Sequence, residues 1–414
     1  MTRGTYMKTV FAALALIGAT AATAETKSIK VVLKNSLGAG RADVPVVVQL
    51  KDIPFAVKDA LVKDGTEEVP SQLDDIDENN RNDELAFVTN MAANSTKTLT
   101  VELYSEKQAE RNYTPRTYGD LILRNFKSKD KNEAPYYIKS LTVHGTTNPY
   151  SLVQHHGADF ESELVGYRVY FDERQTFDLY GKMHKRLELK DCQFYPSKEQ
   201  LADGFGDDVL WVGKTVGLGA LRGWDGKQPT MVSPVEFRGQ RVVASGPVRT
   251  IVEVKDDRWQ YGGTEITMTQ HIIIYAGHRD CEIQVRFDRK LPEMKFSTGV
   301  INLKDKSYSD HKGLIGTWGA NWPNGAKDSI AGKPKVIVGL AVNVPQSLVA
   351  AEPADTTEQY LYVIDAKDRQ SFTYHIAFTS GKEIYGFDGA RQWFDWMRRW
   401  KREIDNPVTV KVML

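Results

Sequence analysis

Cysteine is nearly absent: Cys192 and Cys281 are the only two in 414 residues. That excludes a disulfide-stapled scaffold and any Cys-x-x-Cys redox or zinc motif. In an oxidising compartment the two would either pair, closing a loop worth roughly 4–5 kcal/mol in the chain-entropy model, or stay apart as buried thiols. An excess of positive charge is missing too, with 54 basic against 54 acidic residues, so phosphate neutralisation gives no basis for a nucleic-acid partner. No apolar run reaches the roughly 20 residues that a spanning helix needs. Long amphipathic helical patterns are absent from the body of the chain, which disfavours βαβ units and a parallel sheet. There is no internal repeat and no low-complexity tract.

What is present begins with an export signal. Arg3 and Lys8 flank the start of an apolar run, Val10 to Ala22, that ends in the small residues Ala22, Thr23 and Ala24. The pattern predicts a secretory signal peptide over residues 1–24, with Met7 an alternative start and Glu25 the first mature residue. The expected location is periplasmic or secreted, with no membrane association after signal removal. Without Arg3 and Lys8, 52 basic residues face 54 acidic ones, a mature charge near −2.

Alternating strand-like runs with turn residues between them fill the rest. They predict an all-β chain: a small N-terminal β-sandwich domain over 25–110, a polar linker from Lys107 to Arg116, and a large antiparallel β-sandwich over 111–414. One helix is signalled near the end, capped by Asp388, with Ala390, Trp393, Phe394, Met397, Trp400 and Ile404 as its packing stripe.

The segment from His155 to Lys182 carries the densest chemistry. Val165, Tyr167, Val169, Phe171, Phe177 and Leu179 are apolar or aromatic, whereas Arg168, Tyr170, Asp178, Tyr180 and Lys182 are polar or ionisable. Successive strand residues point to opposite faces, so the second set is expected on one surface, with Arg168 opposite Tyr180 and Tyr170 opposite Asp178. A one-residue slip would bury half of the charges. A solvated face with salt bridges is the plain reading; His155 and His156 just upstream favour a functional one. A second strand pair puts His271 on the same side as Gln284 and Arg286. Two glycine-rich stretches, around Arg222 and Trp224 and around Trp318, Asn321 and Trp322, read as loops whose indoles suit a pyranose ring. Asp75 to Glu84 alternates oxygen side chains as calcium loops do, but lacks the closing glutamate and reads as a polar turn.

The stretches His155 to Lys182 and His271 to Ile283 resemble a domain-of-unknown-function family of secreted Bacteroidota proteins found among polysaccharide-degrading enzymes. The strands around Tyr275 to Phe287 are also similar to galactose-mutarotase-like and polysaccharide-lyase sandwiches. The resemblance implies a carbohydrate context and supplies no residue role.

Three functions follow as expectations. The first is a lyase or dehydratase acting by β-elimination on uronic-acid-containing oligosaccharides. His155 or His271 would be the base, Tyr170 or Tyr180 the acid, and Arg168 with Arg286 the neutralisers of the carboxylate; His156 and Asp178 complete the catalytic set. Glu163, Lys182, Arg222, Trp224, Trp318, Asn321 and Trp322 would bind substrate, with no metal and no cofactor. The second is a glycoside hydrolase using a carboxylate pair from Glu161, Glu163, Asp172 and Asp178. The third is a non-catalytic glycan-binding protein resting on Trp224, Trp318 and Trp322.

Overall fold

Two consecutive glycines fix a long hairpin at the centre of the molecule. Gly262 and Gly263 have φ of 61° and 74°, and Tyr261 pairs with Thr264 across them. A two-residue type I′ connection needs positive φ at both positions, which glycine adopts without steric cost. The computed structural model describes residues 24–127, 136–354 and 357–414; all but the last residue of the expected signal peptide lies outside them.

The strands joined by these glycines, Arg249–Tyr261 and Thr264–Tyr275, sit within a nine-stranded antiparallel sheet. Two five-stranded sheets cover its inner face. One, called here the site sheet, has the order Asp207–Asp208, Phe177–Gly181, Val165–Tyr170, Gly157–Ser162, Thr117–Asp120; the other is centred on Lys295–Ile301 and Gln359–Asp365. Between the layers lies one continuous core. Phe160, Tyr167 and Leu179 enter it from the site sheet, Val252, Ile272 and Ile283 from the large sheet, and Phe296 and Tyr362 from the third. Each such fully buried side chain contributes about 1.5–3 kcal/mol. The fold is an all-β, large antiparallel sandwich.

The outer face of the large sheet carries two additions. The helix Ala390–Asp405 lays Trp393, Met397 and Trp400 on Leu314, Trp318, Ala341 and Ala377, so its expected stripe is its packing face. Its cap is Gly389 rather than Asp388; Asp388 stands one residue earlier and exchanges hydrogen bonds with the Gln392 side chain at 3.0 and 2.7 Å. The second addition is a small sandwich built from seven strands between Thr26 and Tyr104, with its own core of Val31, Val46, Leu85, Leu99 and Val101. Its outermost strand is Thr409–Met413, which pairs antiparallel with Thr26–Lys34. The segment expected as a linker is tied back to this sandwich, through Gln108 and Arg111 on Asp59.

The small sandwich docks through an apolar patch, Val47, Ile76 and Val88 against Ile251 and Ile273, ringed by ions. Arg249 binds Asp74 and Glu84 at 2.7 Å each. His278 bonds the Asp280 carboxylate through Nδ1 at 2.9 Å and the Asp43 carbonyl through Nε2 at 2.8 Å. Both ring nitrogens face acceptors, so the imidazolium is the form that fits. Despite its burial, Asp280 and these hydrogen bonds raise His278 from 6.5 to about 9. With the folded value above the unfolded one, the stabilisation is whole below pH 6.5 and disappears as pH climbs through 9. Allowing for a ring that is 23% exposed, its loss should cost about 2 kcal/mol. Urea unfolding at pH 6 and pH 10 should show that fall in the wild type and a much smaller one in His278→Ala.

Cys192 and Cys281 are both buried free thiols, one packed against the outward face of the site sheet and the other in the main core. The disulfide alternative is not realised.

Candidate active site

On the outward face of the site sheet, pairing aligns one ionisable residue from each of four strands. Asp120 lies opposite Asp159, Asp159 opposite Arg168, and Arg168 opposite Asp178. The expected faces hold, but the register of the hairpin differs by two residues: Arg168 meets Asp178 rather than Tyr180, and Tyr180 meets Gly166. The cause is turn chemistry. Asp172 Oδ1 accepts the Arg174 N–H at 2.8 Å, an Asx turn, and Tyr170 N–H closes the ladder on Thr176 O at 3.0 Å. Phe171 leaves the ladder, donating instead to His156 O at 2.9 Å.

The face is not an open hollow. The stretch 183–206, with the short helix Leu189–Cys192, folds over much of it. Phe194, at φ 67°, lies 4.2 Å from the Arg168 guanidinium carbon, and Arg168 Nη1 donates to the Tyr195 hydroxyl at 3.1 Å. Tyr180 is enclosed with Leu189, Cys192 and Phe194. Lys182 is fully buried, paired with Glu161 and donating to the carbonyls of Ser162 and Arg186. Glu161 also accepts the backbone N–H groups of Glu188 and Leu189. Tyr180 and Lys182 therefore anchor the cover and meet no solvent, against the expectation of acid and substrate-binding roles. Arg168 and Asp178 are enclosed as well and pair with each other. What they hold is Tyr170, whose hydroxyl donates to Asp178 at 2.8 Å.

The open part lies where the cover ends. Asn148 caps the turn Pro149–Ser151, which brings Tyr150 flat against His156, ring centroids 3.8 Å apart. His156 Nδ1 bonds the Tyr150 carbonyl at 2.8 Å. A carbonyl only accepts, so Nδ1 carries the proton and the lone pair of the neutral ring is on Nε2. Burial, reinforced by the positive charges of Arg168, Arg124 and Arg174, lowers His156 to about 4. Arg174 lies 5.2 Å from the Tyr150 ring and 5.0 Å from the Tyr170 ring. Tyr150, His156, Tyr170 and Arg174 are partly exposed, and Arg124 is exposed. His155 and His156 both adopt left-handed backbone, φ 41° and 74°, a strained state that persists where the surroundings over-determine it.

Behind this rim, His155 is sealed. Its Nε2 lies 3.2 Å from Asp159 and 4.0 Å from Asp120. Burial pushes His155 well below and Asp159 well above their ordinary values. At the other edge, burial raises Asp208 to about 7 against the pull of Arg168.

Several expected residues lie elsewhere. His271 and Arg286 are on the outer face of the large sheet, where His271 bonds Glu253 at 3.0 Å; the large sheet separates them from Arg168. Glu163 joins the docking seam through Arg116. Arg222 is buried and its guanidinium donates to the Arg174 carbonyl, bracing the turn that carries Arg174. Trp318 lies in the strand Leu314–Asn321, not a loop, and is buried under the C-terminal helix. Trp224 is half-buried beside Tyr261. Asn321 Oδ1 accepts the Trp211 backbone N–H at 3.0 Å, and Trp322 donates to Lys333 O at 3.0 Å. Trp211, which no motif singled out, is 53% exposed. Of the four carboxylates considered for hydrolysis, each is bound to a cation: Glu161 to Lys182, Glu163 to Arg116, Asp172 to Arg174 and Asp178 to Arg168. Asp75 and Asp83 receive backbone N–H groups of their own turn at 2.8 to 3.1 Å.

Asp120, Asp159, Tyr150, Arg174 and Tyr195 escaped the sequence reading. Asp159 had a signal: it shares the parity of Arg168 once their strands are paired. Asp120 lies far upstream and had none.

No curated protein matches the chain. Among solved structures it is similar to a glycosyl hydrolase family 38 protein from Enterococcus faecalis, with 10% identity, a TM-score of 0.44, and coverage of 94% of this chain and 47% of that one. It is also similar to an alpha-mannosidase from Enterococcus faecalis V583, with 10% identity, a TM-score of 0.43, and coverage of 94% and 46%. The chain spans about half the length of these structures. The model of the family described as Domain of unknown function (DUF4861) matches residues 33–410, and the chain belongs to that family.

Proposed function

We propose that the chain is an exported carbohydrate-active enzyme that cleaves uronate-containing oligosaccharides by β-elimination, with His156 as base. One observation carries this reading: an imidazole whose tautomer is fixed by a backbone carbonyl, set between two tyrosines and beside three arginines. Arg174 and Arg124 would clamp the substrate carboxylate, acidifying the adjacent C–H. His156 Nε2 takes that proton, the C–C double bond forms, and the C–O bond to the leaving sugar breaks. Tyr170 turns its proton from Asp178 to the departing oxygen. Arg168 and Asp178 position Tyr170, and Arg222 positions Arg174, without touching substrate.

The mature chain, incubated with a panel of acidic and neutral oligosaccharides, should give two fragments of unchanged total mass. The new non-reducing end should absorb in the ultraviolet, as a conjugated carboxylate does. Fragments that gain one water without that absorbance would replace elimination with hydrolysis. Silence across the panel would remove the enzymatic reading.

A further inference from the structure

Asp120, His155 and Asp159 converge behind the rim, with His155 Nε2 at ion-pairing distance from both carboxylates. One atom from each, an imidazole nitrogen and two carboxylate oxygens, lies within 4.8 Å of the other two. All three residues are buried, His155 and Asp159 with side chains 0% exposed. Among the described residues, neither ring nitrogen of His155 and neither oxygen of Asp159 has a hydrogen-bond partner, nor has Asp120 Oδ1. The second oxygen of Asp120 is occupied, accepting from the Tyr118 hydroxyl at 2.5 Å. Two buried carboxylates that share a single hydrogen-bond donor cost several kcal/mol each if ionised. Arg168, the nearest cation across the ladder, is committed to Asp178 and Tyr195.

The spacing suits a shared ion. Ligands about 2.1 Å from a metal lie about 3.0 Å apart at a right angle, 3.4 Å apart in a tetrahedron and 4.2 Å apart in trans. Nε2 of His155 is 3.2 Å from Asp159 and 4.0 Å from Asp120. We propose that Asp120, His155 and Asp159 bind one divalent transition-metal ion, of the Zn²⁺ or Mn²⁺ type. The imidazole argues against calcium and magnesium, which take oxygen shells, and the lack of thiolate argues against soft ions. A neutral imidazole offers one ring-nitrogen lone pair to a cation, and neither nitrogen of His155 is engaged by a hydrogen bond. The ion ties Thr117–Asp120 to Gly157–Ser162 and to the strained turn at His155, directly behind His156. This inference does not depend on the elimination reading.

The test uses the full mature chain, stripped with EDTA and titrated with Zn²⁺ or Mn²⁺ by calorimetry. One equivalent should bind, and the melting temperature should rise with metal and fall again with EDTA. Asp159→Asn and His155→Gln should each take up less than a tenth of an equivalent, while Asp77→Asn, in the exposed acidic turn, should keep the full one. X-ray absorption of the zinc-loaded wild type needs no variant and should show a single imidazole with oxygen donors and no sulfur. A wild type that binds no ion, uptake abolished by Asp77→Asn but not by Asp159→Asn, or a shell with sulfur or several imidazoles would each overturn the proposal. The first of these results would mean that the two carboxyls hold a proton in place of a cation.

Discussion

Lys182→Met should destabilise the chain by about 3–5 kcal/mol, the range found when one partner of a buried ion pair is removed. Lys182 and Glu161 are both fully enclosed. Without the ammonium, Glu161 becomes a buried anion whose charge the surrounding protein already resists, and the carbonyls of Ser162 and Arg186 lose their donor. The urea midpoint should drop at unchanged m-value, which marks lost stability rather than a changed denatured state. Adding Glu161→Leu should recover only part of the loss. The carboxylate also caps the N–H groups of Glu188 and Leu189, and leucine leaves both unpaired at about 1–3 kcal/mol each. Full recovery would show that Glu161 matters only as a partner of Lys182.

The second large effect concerns turnover. On the elimination reading, His156→Ala should lower kcat by about 10²–10⁴-fold, the usual contribution of a positioned base. Tyr170→Phe should fall in the same range, with KM little changed in both. Arg174→Ala should act mainly on KM, because its charge meets the substrate carboxylate before and during reaction. His271→Ala should leave kcat as it is, since the large sheet stands between it and the site. Equal losses for His156→Ala and His271→Ala would break the assignment. Melting temperatures of all four variants, measured alongside, separate lost chemistry from lost folding.

Parity was readable in the sequence and distance was not. The alternation in Val165 to Phe171 and Phe177 to Leu179 correctly assigns the strand side chains to a face, because an error of one residue would turn the apolar set out of the core. The exact pairing escaped because the Asx turn at Asp172 and the diversion of Phe171 to His156 act through backbone groups, and binary patterning is silent about those. Composition pointed to Trp318 as a loop tryptophan. Glycines at 316 and 319 instead make room in a strand: a Cβ on Gly316 would come within 2.4 Å of Met397 in the helix above. His271 and Arg286 were legible as neighbours and misplaced as partners of Arg168, since sheet order and layer are tertiary properties. For the same reason Asp120 could not be tied to His155. What covers the polar face, the stretch 183–206, has no strong periodicity, so its burial of Tyr180 and Lys182 was invisible locally.

The pairing of Thr409–Met413 with Thr26–Lys34 has a consequence for biogenesis. The small sandwich cannot be finished when its first strands are made, because its edge ribbon Thr409–Met413 is synthesised only after the whole of the large sandwich. Until then Thr26–Lys34 presents a bare row of amides and carbonyls, the kind of margin to which a second molecule can add. Maturation of this module therefore waits on the rest of the chain, and clipping the final strand should convert a monodisperse preparation into one that self-associates through its beginning.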